Sequence, residues 1–339
     1  MVGCHARRER RHVTNSTIVR GVVLSGTGGI WQVRTENGDT VEASLRGRLK
    51  KSNSGRRADG SLRRDTVSSA AQTLKLAVGD DVHLECGDPA GDWAIAEILP
   101  RRSKLARRSP GGGHGERVLA ANVDQVVVMF AAAKPDPHPR MMDRFLVIAE
   151  ANDIGARIII NKVELVGEAA ARARFDVYER AGYPVHYTSV KAAIGLESVR
   201  ATLRGRRSAV TGPSGVGKSS LLNALFPGAD LRVGAISESV NKGRHTTVGA
   251  LMLPLPGADD GYVVDTPGLR EVGLWALPPE QLDQCFPEMR PLLGKCRFGD
   301  CRHVGEPDCA VRTAIQSGAV SAERYGSYVQ LLEELEAHP

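Results

Sequence analysis

Residues 206–225 read as a strand, a glycine-rich loop and a helix, and that succession constrains the fold more than any other stretch of the chain. RRSAVT is the strand, SSLLNAL has the apolar spacing of a helix, and between them GPSGVGKSS (212–220) fits the spacing G-x-x-x-x-G-K-S. Gly212, Gly215 and Gly217 let the loop backbone, through Pro213, Ser214 and Val216, close around phosphate groups. Lys218 reaches the outer phosphates, the Ser219 hydroxyl is a ligand for Mg²⁺, and Ser220 sits in the first helical turn, whose dipole points its positive end at the anion. A flexible glycine turn would not need the strand, lysine and helix around it. The expectation is an α/β domain with a mostly parallel sheet.

Two further motifs complete a nucleotide site. DTPG (265–268) follows the strand-like YVV, so Asp265 can hold Mg²⁺ through water and the Gly268 backbone can sense a γ-phosphate. NKVE, comprising Asn161, Lys162, Val163 and Glu164, follows the strand-like ARIII and precedes a helical stretch that ends at a glycine. It matches the guanine-reading pattern of Ras-like GTPases except at its fourth position, where Glu164 replaces Asp and lengthens the acceptor by one methylene. A second base-side loop is expected at Thr188, Ser189 and Val190, after YPVHY. Ras-like chains place the guanine motif after the phosphate loop and after DxxG, whereas here it comes first. In an open α/β sheet the ligand loops all lie at the carboxyl ends of parallel strands, so a circular permutation preserves the site.

Charge divides the chain. Residues 1–117 carry 21 Lys+Arg against 13 Asp+Glu, while residues 118–339 carry 24 against 26. The basic first third points to a polyanion partner, with simple solubility as the alternative. Within it, from Thr17 to about Leu99, short apolar alternations separated by polar turns predict a small closed barrel, and Glu36–Asp39 forms a hairpin signal. An OB-fold suits a nucleic-acid partner, and an SH3-like barrel fits the same pattern. Residues 50–72 read as a loop offering Arg56, Arg57, Arg63 and Arg64 to phosphates, or as a solvated insertion. The basic stretch 101–117, ending in a glycine cluster, marks a domain boundary. The longest apolar run, 126–133, is too short to span a bilayer, and the N-terminus lacks a signal-peptide core, so a cytoplasmic protein is expected.

The last segment holds Cys296, Cys301, His303 and Cys309 in the spacing C-x4-C-x-H-x5-C. Three thiolates and an imidazole suit a structural tetrahedral Zn²⁺, and the competing readings are two disulfides or scattered cysteines; a cytosolic setting disfavours disulfides, and His303 would then be unexplained. Cys4, Cys86 and Cys285 read as ordinary thiols. Downstream, Tyr325, Tyr328, Leu331, Leu332 and Leu335 form a helical apolar stripe expected to pack a small metal-stapled domain.

Together with RGVV and RGRL in the barrel, AANVDQ, GRHTT, DTPGLREVGLW, EPDCAV and RYGSY, these motifs span nearly the whole chain and resemble the ribosome small-subunit-dependent GTPase A (RsgA) family. The resemblance implies an α/β circularly permuted P-loop GTPase domain (106–275) between an N-terminal OB-fold β-barrel with a basic tail (1–105) and a C-terminal small α-helical zinc-binding domain (276–339). It further implies GTP and GDP as ligands, Mg²⁺ with the nucleotide, one structural Zn²⁺, and hydrolysis stimulated by the small ribosomal subunit during its late maturation. The departures from the family are Glu164 and the TSV tripeptide. Leu269 stands where Ras-like enzymes place a water-orienting Gln. His245 of GRHTT is therefore the candidate for positioning water, with Thr246 or Thr247 as a switch ligand of Mg²⁺, and a histidine that only contacts RNA or solvent is the alternative. Two competing functions stay open: an rRNA-binding scaffold with a poorly hydrolysing nucleotide site, and an ATP-selective enzyme. A monomer is expected, since no long exposed apolar helix asks for a twin.

Overall fold

The structure, a computed structural model, describes residues 18–46, 75–86, 92–108, 116–228, 250–257, 261–265 and 277–337. The chain forms two compact units, Met1–Arg102 and Ser103–Pro339.

The first unit is a closed barrel of five strands: β1 (Ile18–Thr27), β2 (Ile30–Thr35), β3 (Thr40–Leu45), β4 (Asp81–Cys86) and β5 (Trp93–Ile98). Their order is β1-β2-β3-β5-β4, with β4 pairing back onto β1. The parallel pairing of β3 with β5 is the crossover of a Greek-key barrel, which decides between the two expected barrels in favour of the OB type. Alternation in the strands sends Val23, Val33, Ala43, Val82, Leu84 and Ile95 inward. Two glycines make room for that packing: a Cβ on Gly21 would meet Val33 Cγ1 at 2.6 Å, and one on Gly26 would meet the Trp31 ring at 2.3 Å. The expected β2–β3 hairpin turns at Gly38, whose φ of +89° suits glycine. Asp80, fully buried, accepts from Arg101 Nε at 2.6 Å and from the Ala77 amide at 2.7 Å, tying the end of the unit to the barrel.

The second unit opens with a two-stranded ribbon, β6 (Lys104–Arg108) and β7 (Glu116–Ala121). Residues on either side of the glycine cluster in this basic stretch pair as strands, because cross-strand hydrogen bonds do not require apolar alternation. The main sheet has the order β10-β9-β8-β11-β13-β12, built from β8 (Gln125–Ala131), β9 (Ala156–Asn161), β10 (Val185–Tyr187), β11 (Arg207–Thr211), β12 (Leu251–Pro254) and β13 (Tyr262–Asp265). All neighbouring pairs are parallel except β12 against β13. Every residue of β8 is buried, as expected of a central parallel strand covered on both faces.

Helices α1 (Pro139–Ala151), α2 (Glu168–Arg180), α3 (Leu196–Leu203) and α4 (Lys218–Leu225) connect the strands. After short 3-10 turns the chain ends in α5 (Ala310–Gln316) and α6 (Ala322–Ala337), with α6 packed on α1. Tyr328, Leu331, Leu332 and Leu335 are buried as the helical stripe predicts, whereas Tyr325 is half-buried. The stripe missed Arg324, which is only 1% exposed. Its guanidinium donates to Asp143 of α1 at 2.7 Å and to both oxygens of Glu288 at 2.7 and 3.0 Å, with the Phe286 ring 4.7 Å away. Burial pushes the Asp143 carboxyl above its ordinary pKa, and Arg324 opposes that shift.

Candidate nucleotide site and metal centre

Because β9, β10, β11 and β13 run parallel, their carboxyl ends lie along one edge of the sheet. That edge receives Asn161 from β9, Thr188 just after β10, Gly212 just after β11, and Asp265 as the last residue of β13. The reversed order of the motifs along the chain therefore has no spatial consequence.

The phosphate loop is shaped by its glycines. Gly212 has φ +141°, and a Cβ there would lie 2.0 Å from the Met129 carbonyl of β8, so the loop backbone rests directly on the neighbouring strand. Gly217, with φ +97°, begins α4, and a Cβ there would lie 2.6 Å from Asn161 Nδ2. Val216 is fully buried and anchors the loop, while Ser214 and Gly215 face solvent. Lys218 is buried and donates from Nζ to the carbonyls of Gly212 (2.9 Å) and Pro213 (2.7 Å), which curls its ammonium over the loop. Ser219 is half-buried and Ser220 exposed; Asp265 is 8% exposed.

The NKVE loop is bonded to the phosphate loop. Asn161 donates from Nδ2 to the Val216 carbonyl at 2.9 Å and accepts at Oδ1 from the Thr188 hydroxyl at 3.1 Å. Lys162, in the left-handed region at φ +61°, donates from Nζ to the carbonyl of Gly215 at 2.7 Å and to that of Lys134. The Val163 amide donates to the Thr188 carbonyl at 3.2 Å. Asn161, Lys162 and Thr188 thus fix three loops against one another, and Glu164, on the 3-10 turn Val163–Leu165, is left with its carboxylate exposed. Ser189 is fully buried and accepts from the Ala192 amide at 3.0 Å, whereas Val190 is half-buried against the core. The sequence did not single out Lys134. Its signal is positional, since 132–138 leaves the carboxyl end of β8 in the same parallel sheet. His245, Thr246, Thr247 and Gly268, and with them Leu269, lie outside the described residues.

The second constellation gathers Cys296, Cys301, His303 and Cys309, whose ligand atoms all lie within 4.8 Å of one another. Cys296 Sγ and Cys309 Sγ are 3.9 Å apart, and His303 Nδ1 lies 3.5 and 3.4 Å from them. A tetrahedron with metal–sulfur bonds of about 2.3 Å and a metal–nitrogen bond of about 2.0 Å has edges of roughly 3.8 and 3.5 Å. The donor set and its spacing fit a four-coordinate zinc, bound through Nδ1 of the histidine. Nε2 faces Asp283 Oδ2 at 3.3 Å, the carboxylate partner that orients a metal-binding imidazole. The Asp283 contact also raises His303 to about 9. Hydroxyls of Tyr325 and Tyr328 donate to the carbonyls of His303 (2.8 Å) and Arg302 (2.9 Å), tying the knuckle to α6. Burial disfavours charge on Glu306, but amides of Arg302, Gly305 and Val304 donate to its carboxylate and hold its pKa down to about 2.

Comparison with known proteins agrees with this geometry. The model of the RsgA GTPase family matches residues 98–275. The small ribosomal subunit biogenesis GTPase RsgA of Gemmatimonas aurantiaca is 56% identical over 94% of the chain and 98% of its own length. Among solved structures, YjeQ from Thermotoga maritima superposes with a TM-score of 0.73 at 32% identity, covering 95% of this chain and 100% of that one. YloQ, described as a circularly permuted GTPase, superposes with a TM-score of 0.68 at 26% identity, covering 97% and 99%.

Proposed function

The chain belongs to the RsgA GTPase family, and from that premise we propose that it hydrolyses GTP to GDP and phosphate on the small ribosomal subunit, assisting the subunit's late maturation. The observation that carries the reading is the bonding of Asn161 and Lys162 to the phosphate-loop carbonyls of Val216 and Gly215, which joins a base-reading loop to a phosphate cradle. In this reading the backbone from Gly212 to Gly217 wraps the phosphates, Lys218 exchanges its loop carbonyls for phosphate oxygens, and the positive end of α4 faces the charge. Glu164 accepts from the guanine edge, and Thr188, Ser189 and Val190 form the other side of the base pocket. Ser219, Asp265 and Thr246 or Thr247 would hold Mg²⁺, which would supply positive charge to the phosphate groups. Gly268 reports the γ-phosphate. His245 holds the attacking water in line, because Leu269 offers no hydrogen bond.

Cys296, Cys301, His303 and Cys309 would hold Zn²⁺ in a structural role, since four protein donors would leave no open position for substrate. The basic barrel unit, with Arg56, Arg57, Arg63 and Arg64, contacts rRNA. The domain division into 1–105, 106–275 and 276–339 gives each of these tasks its own segment. No helix among the described residues is long and apolar enough to cross a membrane. The protein works as a monomer in the cytoplasm, where its ribosomal partner is assembled.

The test is turnover of GTP and of ATP with and without purified small subunits, using the wild type and the variants Lys218→Ala, His245→Ala and Glu164→Asp. Stimulation confined to GTP, lost in His245→Ala with GTP binding retained, and abolished together with binding in Lys218→Ala, is the expected result. Subunit binding without stimulation turns the reading into an rRNA-bound scaffold. Equal use of ATP shows that Glu164 does not select guanine, and Glu164→Asp should then restore the preference.

A further inference from the structure

Behind the phosphate loop lies a cavity of about 560 Å³ walled by α1, α6 and the first residues of the loop. Helix α1 contributes Arg140, Met141, Arg144 and Phe145, α6 contributes Ser327, Gln330, Leu331 and Glu334, and the loop contributes Gly212, Pro213 and Ser214. None of Asn161, Lys162, Glu164, Thr188, Lys218, Ser219 and Asp265 is among these lining residues, so the cavity shares only a wall with the nucleotide site. Its volume falls within the range of about 300–1,000 Å³ typical of small-molecule sites and far exceeds the space a trapped water occupies.

The chemistry of the walls selects the occupant. Met141, Phe145, Pro213 and Leu331 give an apolar body, and Met141 is 42% exposed, which is unusual for a residue against a helix–helix joint. Arg144 is neutralised by a forked pair with Glu334 across the cavity, at 3.0 and 3.1 Å from one guanidinium nitrogen. Arg140, one helical turn away on the same face, is exposed and forms no ion pair with any described residue. Among the described lining residues, two cations and one anion give the cavity an excess of one positive charge beside an apolar wall.

We propose that this cavity is a ligand site distinct from the nucleotide site, taking a small amphipathic monoanion: an aromatic or aliphatic body bearing a single acidic group that pairs with Arg140. The apolar body packs between Met141 and Leu331, and the Ser214 hydroxyl and the Gln330 amide supply further polar contacts. The inference does not depend on the ribosomal reading, because it rests on the cavity and its charge alone.

The test is a fluorescence titration of 8-anilinonaphthalene-1-sulfonate into the full chain saturated with Mg²⁺ and GDP, so that the nucleotide site is already filled. Two variants accompany the wild type: Arg140→Glu, which inverts the free charge, and Gln330→Trp, which fills the space. Circular dichroism and GDP affinity establish that each is folded. The uncharged N-phenyl-1-naphthylamine serves as the control for charge. One saturable site is expected, weakened about tenfold or more by Arg140→Glu and lost in Gln330→Trp, with the neutral probe binding about tenfold more weakly. Absence of saturable binding to the wild type, or binding that both folded variants retain, overturns the proposal. Equal affinity for the neutral probe overturns its anionic ligand class.

Discussion

Asp283 shows how much one side chain outside a motif can control. It lies 13 residues before the first cysteine, where no metal-binding spacing includes it, yet its Oδ2 stands 3.3 Å from Nε2 of His303. A carboxylate in that place fixes which imidazole nitrogen is free for the metal and raises the basicity of the ligand, and losing such a partner typically weakens metal affinity about 10–100-fold. Asp283→Asn is therefore expected to lower zinc affinity by that factor while leaving the fold of the loaded protein intact. Competition against a chromophoric chelator measures it, and an unchanged affinity would mean that the four ligands orient themselves. The four candidate ligands were legible because thiolate and imidazole chemistry is written in residue type and short spacing. Asp283 was not, because contacts across 20 residues depend on how the preceding 3-10 turns fold back. Similarly, the sequence offers Asn161 and Lys162 as candidate base-side residues. Their bonds to Val216 and Gly215, more than 50 residues away, appear only once the parallel sheet has aligned the loops.

At the scale of elements, the apolar strands β8 to β13 were readable as strands because each is a short apolar run ended by a turn signal. What the pattern could not show is the joint between α1 and α6. Apolar periodicity locates a helix face by its leucines, so it passes over a buried arginine, and Arg324 gains its place only from partners on other elements. The joint holds one guanidinium against two carboxylates, Asp143 and Glu288, at 0% and 7% side-chain exposure. This arrangement makes its members unequal. Arg324→Met strands two buried carboxylates and is expected to cost about 3–5 kcal/mol, as for other buried pairs broken at one end. Asp143→Asn keeps the Arg324–Glu288 pair and should cost much less, about 1 kcal/mol. Urea unfolding of the three proteins checks the ranking, and equal losses would contradict it. The sign of the pH effect follows from burial. With Asp143 raised in the folded state, the folded chain takes up its proton at a higher pH than the unfolded chain does. Its contribution to stability therefore rises as pH falls through that raised value, and the asparagine variant should lose that part of the pH dependence.

At the scale of the whole molecule the charge is uneven, and its border does not coincide with that of the compact units: residues 1–102 carry 17 Lys+Arg against 12 Asp+Glu, and residues 103–339 carry 28 against 27. The excess of positive charge lies in the first third, with a net of +8 over residues 1–117 and −2 over the remainder. The nucleotide site, by contrast, belongs to the second compact unit, Ser103–Pro339. If the basic third binds rRNA, affinity for the subunit and nucleotide chemistry are separable by mutation, because the arginines that meet phosphates play no part in the loops that hold GTP. Arg56, Arg57, Arg63 and Arg64, in a segment outside the described residues, are one cluster of charges available for that contact. Each phosphate neutralised by a cation contributes about 0.7–0.9 to the slope of log affinity against log salt. Replacing all four by alanine is expected to reduce that slope by about 3 and to weaken subunit binding most at low salt. Intrinsic turnover without the subunit should not change. Binding measured across a salt series distinguishes this from the alternative directly. A solvated insertion would leave both the affinity and the slope as they were, and the polyanion contact would then have to be sought on the barrel strands themselves.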